Sequence, residues 1–255
     1  MRLQIEESHL FLCYYLYEVN HLNTFLLLAF ASVYLILALY HYNRPNILML
    51  WLSYLPTLLH EFGHALICQL TGGKVSDIVI VTRRSERLAT GRNGYAVSHT
   101  ISGWNRFATF IAGYLFPPLF LIIGIFCLSR AWQIGFWILL GLVFLYYFVK
   151  TSRKIFPFVM MLLIAVGCYL YYQHPDVVSI WVVGDWIIYI VLGVLLADTI
   201  LSSYTMTIIY IQGNTSWDGA MLSRLTRLPV LVYYLLFMIV QLGSCWYVVK
   251  VIVLG

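Results

Sequence analysis

Charge is scarce in this sequence. Asp, Glu, Lys and Arg make up 10% of the 255 residues, against about 25% in an average soluble domain. Apolar residues make up 62%, which excludes an ordinary soluble domain and a charged disordered chain. The formal net charge of +5 is therefore read as a report of membrane orientation, and no nucleic-acid partner is expected. Cysteine is also sparse. Cys13, Cys68, Cys127, Cys168 and Cys245 are odd in number and scattered, which excludes a disulfide framework or a paired-cysteine metal knuckle. No internal repeat is visible, which argues against a transporter built from repeated halves. The first 22 residues also lack the pattern of a cleaved signal peptide. Glu6, Glu7 and Glu18 interrupt them and no small-residue cleavage site follows. Leu3, Leu10, Tyr14 and Tyr17 recur at helical spacing, so residues 1–22 read as an interfacial segment and 23–255 as one membrane-embedded domain.

Long apolar runs are what the sequence has in abundance. Thr24–Tyr40, Ile47–Leu70, Ser102–Leu128, Trp132–Val149, Ile155–Tyr172, Val177–Ile211 and Val230–Leu254 are candidate spans. The expected fold is an all-α polytopic membrane protein of about seven transmembrane helices. Asn43-Arg44-Pro45-Asn46 is a turn between the first two spans. Pro56 and the pair Pro117-Pro118 predict helix kinks, and Pro56 frees the carbonyl of Leu52. Val177–Ile211 is too long for one untilted crossing and short for two, so a broken or re-entrant course is expected. After Thr71-Gly72-Gly73, the run Val75, Ile78, Ile80, Val81 predicts a strand. Gly91-Arg92-Asn93-Gly94 predicts a hairpin turn, and Tyr95-Ala96-Val97 the returning strand. These spans leave only Arg44, Arg130 and Lys250 on one side and the rest of the 15 Lys and Arg on the other. The positive-inside rule then places the N-terminus, the hairpin and Asp218 in the cytoplasm of a multi-pass cell-membrane protein.

One stretch of the second span carries chemistry: His60-Glu61-Phe62-Gly63-His64. Residues four apart on a helix share a face, so His60 and His64 can hold one metal ion, and Glu61 is placed to act as a base beside it. Ionisable groups inside a bilayer segment are costly unless paired, hydrated or metal-bound, which makes this position informative. Cys68 lies four residues beyond His64 on the same face and reads as small apolar packing. A catalytic zinc takes three protein ligands and leaves one position open. Asp185, Asp198, Asp218 and His99 are candidates for the third. Asp185 lies toward the outer side, Asp198 toward the cytoplasmic half of its span, and Asp218 stands beside Gly219, where it can also serve as an ordinary N-cap of a helix over 219–228. Asn105 and His99 are the candidate oxyanion donors.

The order His60-Glu-Phe-Gly-His-Ala-Leu66, Leu70-Thr-Gly-Gly-Lys-Val75, Ala112-Gly-Tyr114, then Trp217-Asp-Gly-Ala-Met-Leu222 with Leu225-Thr226 and Pro229 resembles the site-2 protease clan, in its compact bacterial branch without a PDZ domain. Two features are this chain's own: Trp217 stands where the family form has a more apolar residue such as Leu before Asp-Gly, and Tyr114-Leu115 follows Ala112-Gly113 in place of a Pro-Asn pair. The resemblance implies an intramembrane zinc metalloprotease acting on membrane-anchored protein substrates, with Zn²⁺ on His60, His64 and Asp218 and with Glu61 as the general base. The alternative is a catalytically inactive membrane scaffold that keeps this fold. The hairpin edge is then a place where an extended substrate segment can pair.

Overall fold

A computed structural model describes residues 24–40, 47–130, 132–173 and 177–254. The expected N-terminal interfacial segment and the turn at Asn43–Asn46 lie outside the described residues. The elements run in the order α1 (Thr24–Tyr40), α2 (Ile47–Leu52), α3 (Tyr54–Leu70), β1 (Lys74–Ile80), α4 (Arg84–Thr90), β2 (Gly94–His99), α5 (Gly103–Ser129), α6 (Gln133–Lys150), α7 (Ile155–Gln173), α8 (Val178–Ile211), α9 (Asp218–Thr226) and α10 (Val230–Leu254). Five helices, α5, α6, α7, α8 and α10, are long and apolar enough to cross a membrane. α1 is a shorter apolar helix, and α2 with α3 fills the second predicted span. The expected helical membrane protein with one small two-stranded sheet is what the structure has.

Pro56 falls in the first turn of α3, where its missing N–H is one of the unpaired donors of any helix start. The carbonyl of Leu52 loses its donor, and the helix breaks at Ser53. Pro117 and Pro118 behave differently. α5 continues through them as one helix, and the carbonyls of Gly113 and Tyr114 are left without their helical donors. α8 corrects the expectation of a broken segment: it is a single helix of 34 residues. At 1.5 Å per residue it is about 50 Å long, so it must tilt or extend beyond a hydrocarbon core of about 30 Å.

α3 and α5 run antiparallel and close together. Gly63 faces the Ala112 carbonyl, and further along Asn105 Nδ2 donates to the Cys68 carbonyl at 2.8 Å. The hairpin does not project away from this pair. Gly73 N donates to the Cys68 carbonyl, while Gly94, at the far end of the sheet, lies against Thr57. Thr57 is about 20 Å back along α3 from Leu70, close to the length of a seven-residue strand. The sheet therefore folds back along the helix and flanks its middle. The strands pair antiparallel from Lys74↔His99 to Ile80↔Gly94, with an irregularity between Val75 and Asp77. Ile78 to Val81 are buried without alternation, because β1 is packed by α3 and also by α6. Ser152 donates to Asp77 from its N and its Oγ, each at 2.8 Å. Arg153 reaches the Ile80 carbonyl and pairs with Glu86 at 2.5 Å. These bonds put the α6–α7 turn at the same end of the molecule as the hairpin. The Arg153 guanidinium holds the Glu86 carboxyl below the usual carboxylate range.

The predicted tight turn at Gly91–Gly94 is a second correction. The strands are joined through α4, and Gly91 is its left-handed C-cap, with φ 65°. The glycine signal ends a helix there and does not close a two-residue hairpin.

Candidate metal centre

The site is built where α3, α5 and the start of α9 meet. His60 and His64 project from the same face of α3, one turn apart. α9 begins at Asp218, with Trp217 as its N-cap in extended conformation and no side-chain capping bond. The ordinary N-cap role considered for Asp218 is therefore not the one observed. Asp218 is the first helical residue, and its carboxylate faces the two imidazoles. Asp218 Oδ2 lies 3.3 Å from His64 Nε2 and 3.5 Å from His60 Nε2, and the two Nε2 atoms are 3.1 Å apart. These three donor atoms lie within 4.8 Å of one another, and among the described residues they form the one such group of His, Cys, Asp and Glu.

The second nitrogen of His64 explains the first. Nδ1 lies 2.7 Å from the Thr109 carbonyl on α5. A carbonyl only accepts, so Nδ1 carries the proton and Nε2 presents a lone pair to the cluster. That lone pair faces a carboxylate oxygen, and two acceptors at this distance repel unless a cation or a proton lies between them. A tetrahedral zinc with bonds of about 2.0–2.2 Å needs donor–donor edges of about 3.3–3.6 Å. The triangle of 3.1, 3.3 and 3.5 Å fits one face of that tetrahedron, and the donor types are those zinc takes.

α5 can come this close because of Gly113. A Cβ there would collide with His64 Nε2 and lie 2.8 Å from His60 Cε1. Tyr114, the next residue, sets its ring edge-on to His60, with centroids 4.9 Å apart. Glu61 is buried and lines two cavities. One, of about 400 Å³, holds all three donors and is walled by β2, α5 and α9, with Tyr95, Ala96 and Ser98 along the strand. The other, of about 370 Å³, adjoins it at His60, Glu61 and Tyr114 and is lined also by residues of α8 and α10.

The remaining sequence candidates are placed elsewhere. Asp198 is outside the donor triangle. It lines the second cavity and accepts from Tyr34 Oη at 3.3 Å. Asp185 is buried on α8, thirteen residues before Asp198 and so about 20 Å further along the helix. His99 is exposed at the end of β2, opposite Lys74. Asn105 is fully buried and is engaged throughout. Its amide donates to the Cys68 carbonyl and to Thr71 Oγ1, and its Oδ1 accepts from Ile101 N. It clamps the end of α3 to the start of α5 and has no donor left for an oxyanion. Cys68 is fully buried in the apolar core and is not part of the donor group. Sequence reasoning missed the Thr109 carbonyl, which as a backbone group leaves no residue-type signal, and the closeness of Gly113.

A helix-borne histidine pair, a converging aspartate and a neighbouring glutamate are set within a bundle of membrane-length helices. A family profile described as Peptidase M50B-like matches residues 10–248, and the chain belongs to that family. No curated protein and no solved structure matches it.

Proposed function

We propose that the chain is an intramembrane zinc metalloprotease that hydrolyses peptide bonds of membrane-anchored protein substrates. The observation that carries this reading is the triangle of His60 Nε2, His64 Nε2 and Asp218 Oδ2, with its 3.1–3.5 Å edges and with Glu61 in the wall of both adjoining cavities. His60, His64 and Asp218 would hold the zinc, which when bound supplies Lewis-acid chemistry by acidifying water and polarising a carbonyl. Glu61 takes the proton from the attacking water and returns it to the leaving amine. The Thr109 carbonyl keeps the His64 ring in the tautomer that ligation needs. A substrate helix must unwind before it is cut, because its carbonyls are engaged within the helix. β2 offers the unwound segment an edge along the cavity that contains the donors. The charge asymmetry supports an orientation in which the N-terminus, the hairpin and α9 face the cytoplasm.

The test separates an enzyme from a scaffold. Glu61→Gln keeps the side chain's size and removes its basicity. It should retain zinc and lose cleavage of a membrane-anchored reporter by at least about 10²-fold. His60→Ala should lose zinc as well. Full cleavage by Glu61→Gln at normal metal content would remove the mechanism.

A further inference from the structure

The second cavity has no part in the chemistry described above, yet it meets the reacting centre directly. It shares His60, Glu61, Arg92, Gly94 and Tyr114 with the first cavity and continues from them to Asp198 and Thr199 of α8 and Gln241 of α10. An extended peptide laid across the metal centre would therefore place one flanking side chain in each. The two cavities offer different chemistry. The first contains the metal donors and the edge of β2. The second is closed by α8 and α10 and has a carboxylate, Asp198, in its wall.

Asp198 is held for recognition. Tyr34 Oη from α1 donates to Oδ1, which fixes the carboxylate and leaves Oδ2 to accept from whatever enters. Thr199, the next residue, spends its hydroxyl proton on the Leu195 carbonyl at 2.7 Å, so its oxygen also faces the cavity as an acceptor. Charge completes the argument. The two charges of a bound zinc are matched by Asp218 and Glu61, which leaves Asp198 as the uncompensated carboxylate. Arg92 also borders this cavity, but from an exposed position on the connection between α4 and β2, where solvent screens it. A half-buried carboxylate beside a metal centre is costly to leave without a cation, and a long cationic side chain with several N–H donors is its complement. The volume of about 370 Å³ accommodates such a side chain together with water.

We propose that this cavity is a substrate subsite that accepts a lysine or arginine next to the scissile bond, with Asp198 as the residue that selects it. The proposal rests on the protease reading above and deepens it by naming a substrate class.

The experiment uses the full-length protein loaded with zinc in lipid nanodiscs. A panel of membrane-anchored reporters carries Lys, Arg, Gln or Met at each position within three residues of the cut, and each cut is mapped by mass spectrometry. At one position the wild type should favour Lys or Arg over Met by about 10- to 100-fold in kcat/KM, the range for one charge-assisted hydrogen bond. In Asp198→Asn that ratio should collapse toward one, and Asp198→Glu should restore part of it. A wild-type ratio near one at every position would overturn the proposal. So would an Asp198→Asn protein that is slowed equally on all reporters, because Asp198 would then act on the whole site. A second arm reads binding without turnover. In a Glu61→Gln background, a transmembrane peptide with a photoreactive group beside a lysine should label the protein about tenfold more than its norleucine counterpart, and Asp198→Asn should abolish the difference. Equal labelling by both peptides overturns the subsite even if no reporter is cut. Lysine-selective labelling without any cleavage keeps the subsite and sinks the protease reading.

Discussion

Gly113→Ala and Gly141→Ala are the same chemical change at two helical glycines, and the structure assigns them opposite outcomes. Alanine is favoured over glycine inside a helix by about 0.5–1 kcal/mol. At Gly141 on α6 the new methyl would meet only Ile164 Cγ2, at 3.6 Å, which is ordinary contact. Propensity wins there, and the variant should be as stable as the wild type or more so by up to about 1 kcal/mol. At Gly113 the methyl would be 2.8 Å from His60 Cε1 and closer still to His64 Nε2. Clearing His60 alone requires a shift of at least about 0.6 Å in a packed interior. His64 cannot readily yield, because its Nδ1 is bonded to the Thr109 carbonyl of the same helix at 2.7 Å. α3 and α5 must therefore separate, or the imidazole must leave that bond. Overpacking of this kind costs about 1–3 kcal/mol, and either response spreads the 3.1–3.5 Å donor triangle. Charged to metal binding, the strain weakens zinc by about ten- to hundredfold. The assay is competition against a chromophoric chelator, with metal per chain by atomic emission and thermal unfolding of both variants. Gly113→Ala should remain folded and bind zinc at least about tenfold more weakly than Gly141→Ala. Equal zinc affinity in the two variants would refute the reasoning, because it would mean that α5 does not set the position of the imidazoles.

Three further outcomes follow from the same geometry. Asp218→Ala should lose most bound zinc whereas Asp198→Ala keeps it, as measured by metal content after purification; the reverse would make Asp198 the third ligand. Asn105→Ala removes the fully buried amide that ties the end of α3 to the start of α5, although the Cys68 carbonyl keeps its bond from Gly73 N, and should lower stability by about 1–3 kcal/mol in denaturant unfolding, with zinc content unchanged. Loss of turnover at full stability would instead return Asn105 to the oxyanion role. A single cysteine placed at Asn93 should be labelled by a membrane-impermeant thiol reagent only after cells are opened, and labelling of intact cells would invert the orientation.

The parts of the fold legible in the sequence are those in which one residue type has one local consequence. His60 and His64 at a spacing of four had to share a face of α3. The apolar runs had to be helices, because a bilayer leaves the backbone no other way to pair. Val75 to Val81 had to be extended, since five of these seven residues are Val or Ile. The misreadings came where one signal serves two purposes. Gly91 fits a hairpin turn or a helix C-cap equally well, and only the Arg84–Thr90 stretch, weak in any pattern, decides that it caps α4. Asn105, read as a possible donor to substrate, looks catalytic in a list of polar residues near a site. Its three hydrogen bonds to Cys68, Thr71 and Ile101 show that it closes a helix junction. α8 was expected to break because of its length, yet no Pro lies within it, and a helix without a breaker continues past the membrane boundary.

Asp218 shows why the third donor was the hardest residue to fix from sequence. An Asp at the start of a helix ordinarily turns its carboxylate onto the helix's own N–H groups. Here that position belongs to Trp217, and the reason lies in the residue after Asp218. A Cβ on Gly219 would run into the six-membered ring of the Trp217 indole, with Cζ2 at 2.8 Å, so only a glycine lets the indole fold over the first turn of α9. Folded there, the buried indole packs edge-on against Tyr114 and against Phe237 of α10, with centroids 6.3 Å away in each case. That packing anchors the start of α9 to α5 and α10. The anchored turn aims the carboxylate of Asp218 outward at His60 and His64. Trp217 and Tyr114, the two positions where the chain departs from the pattern it resembles, are thus packed against each other at the metal centre. A change at one of them moves the support of the other, so Trp217 and Gly219 act as a pair in placing Asp218, and the Asp-Gly dipeptide is informative because of the tryptophan before it.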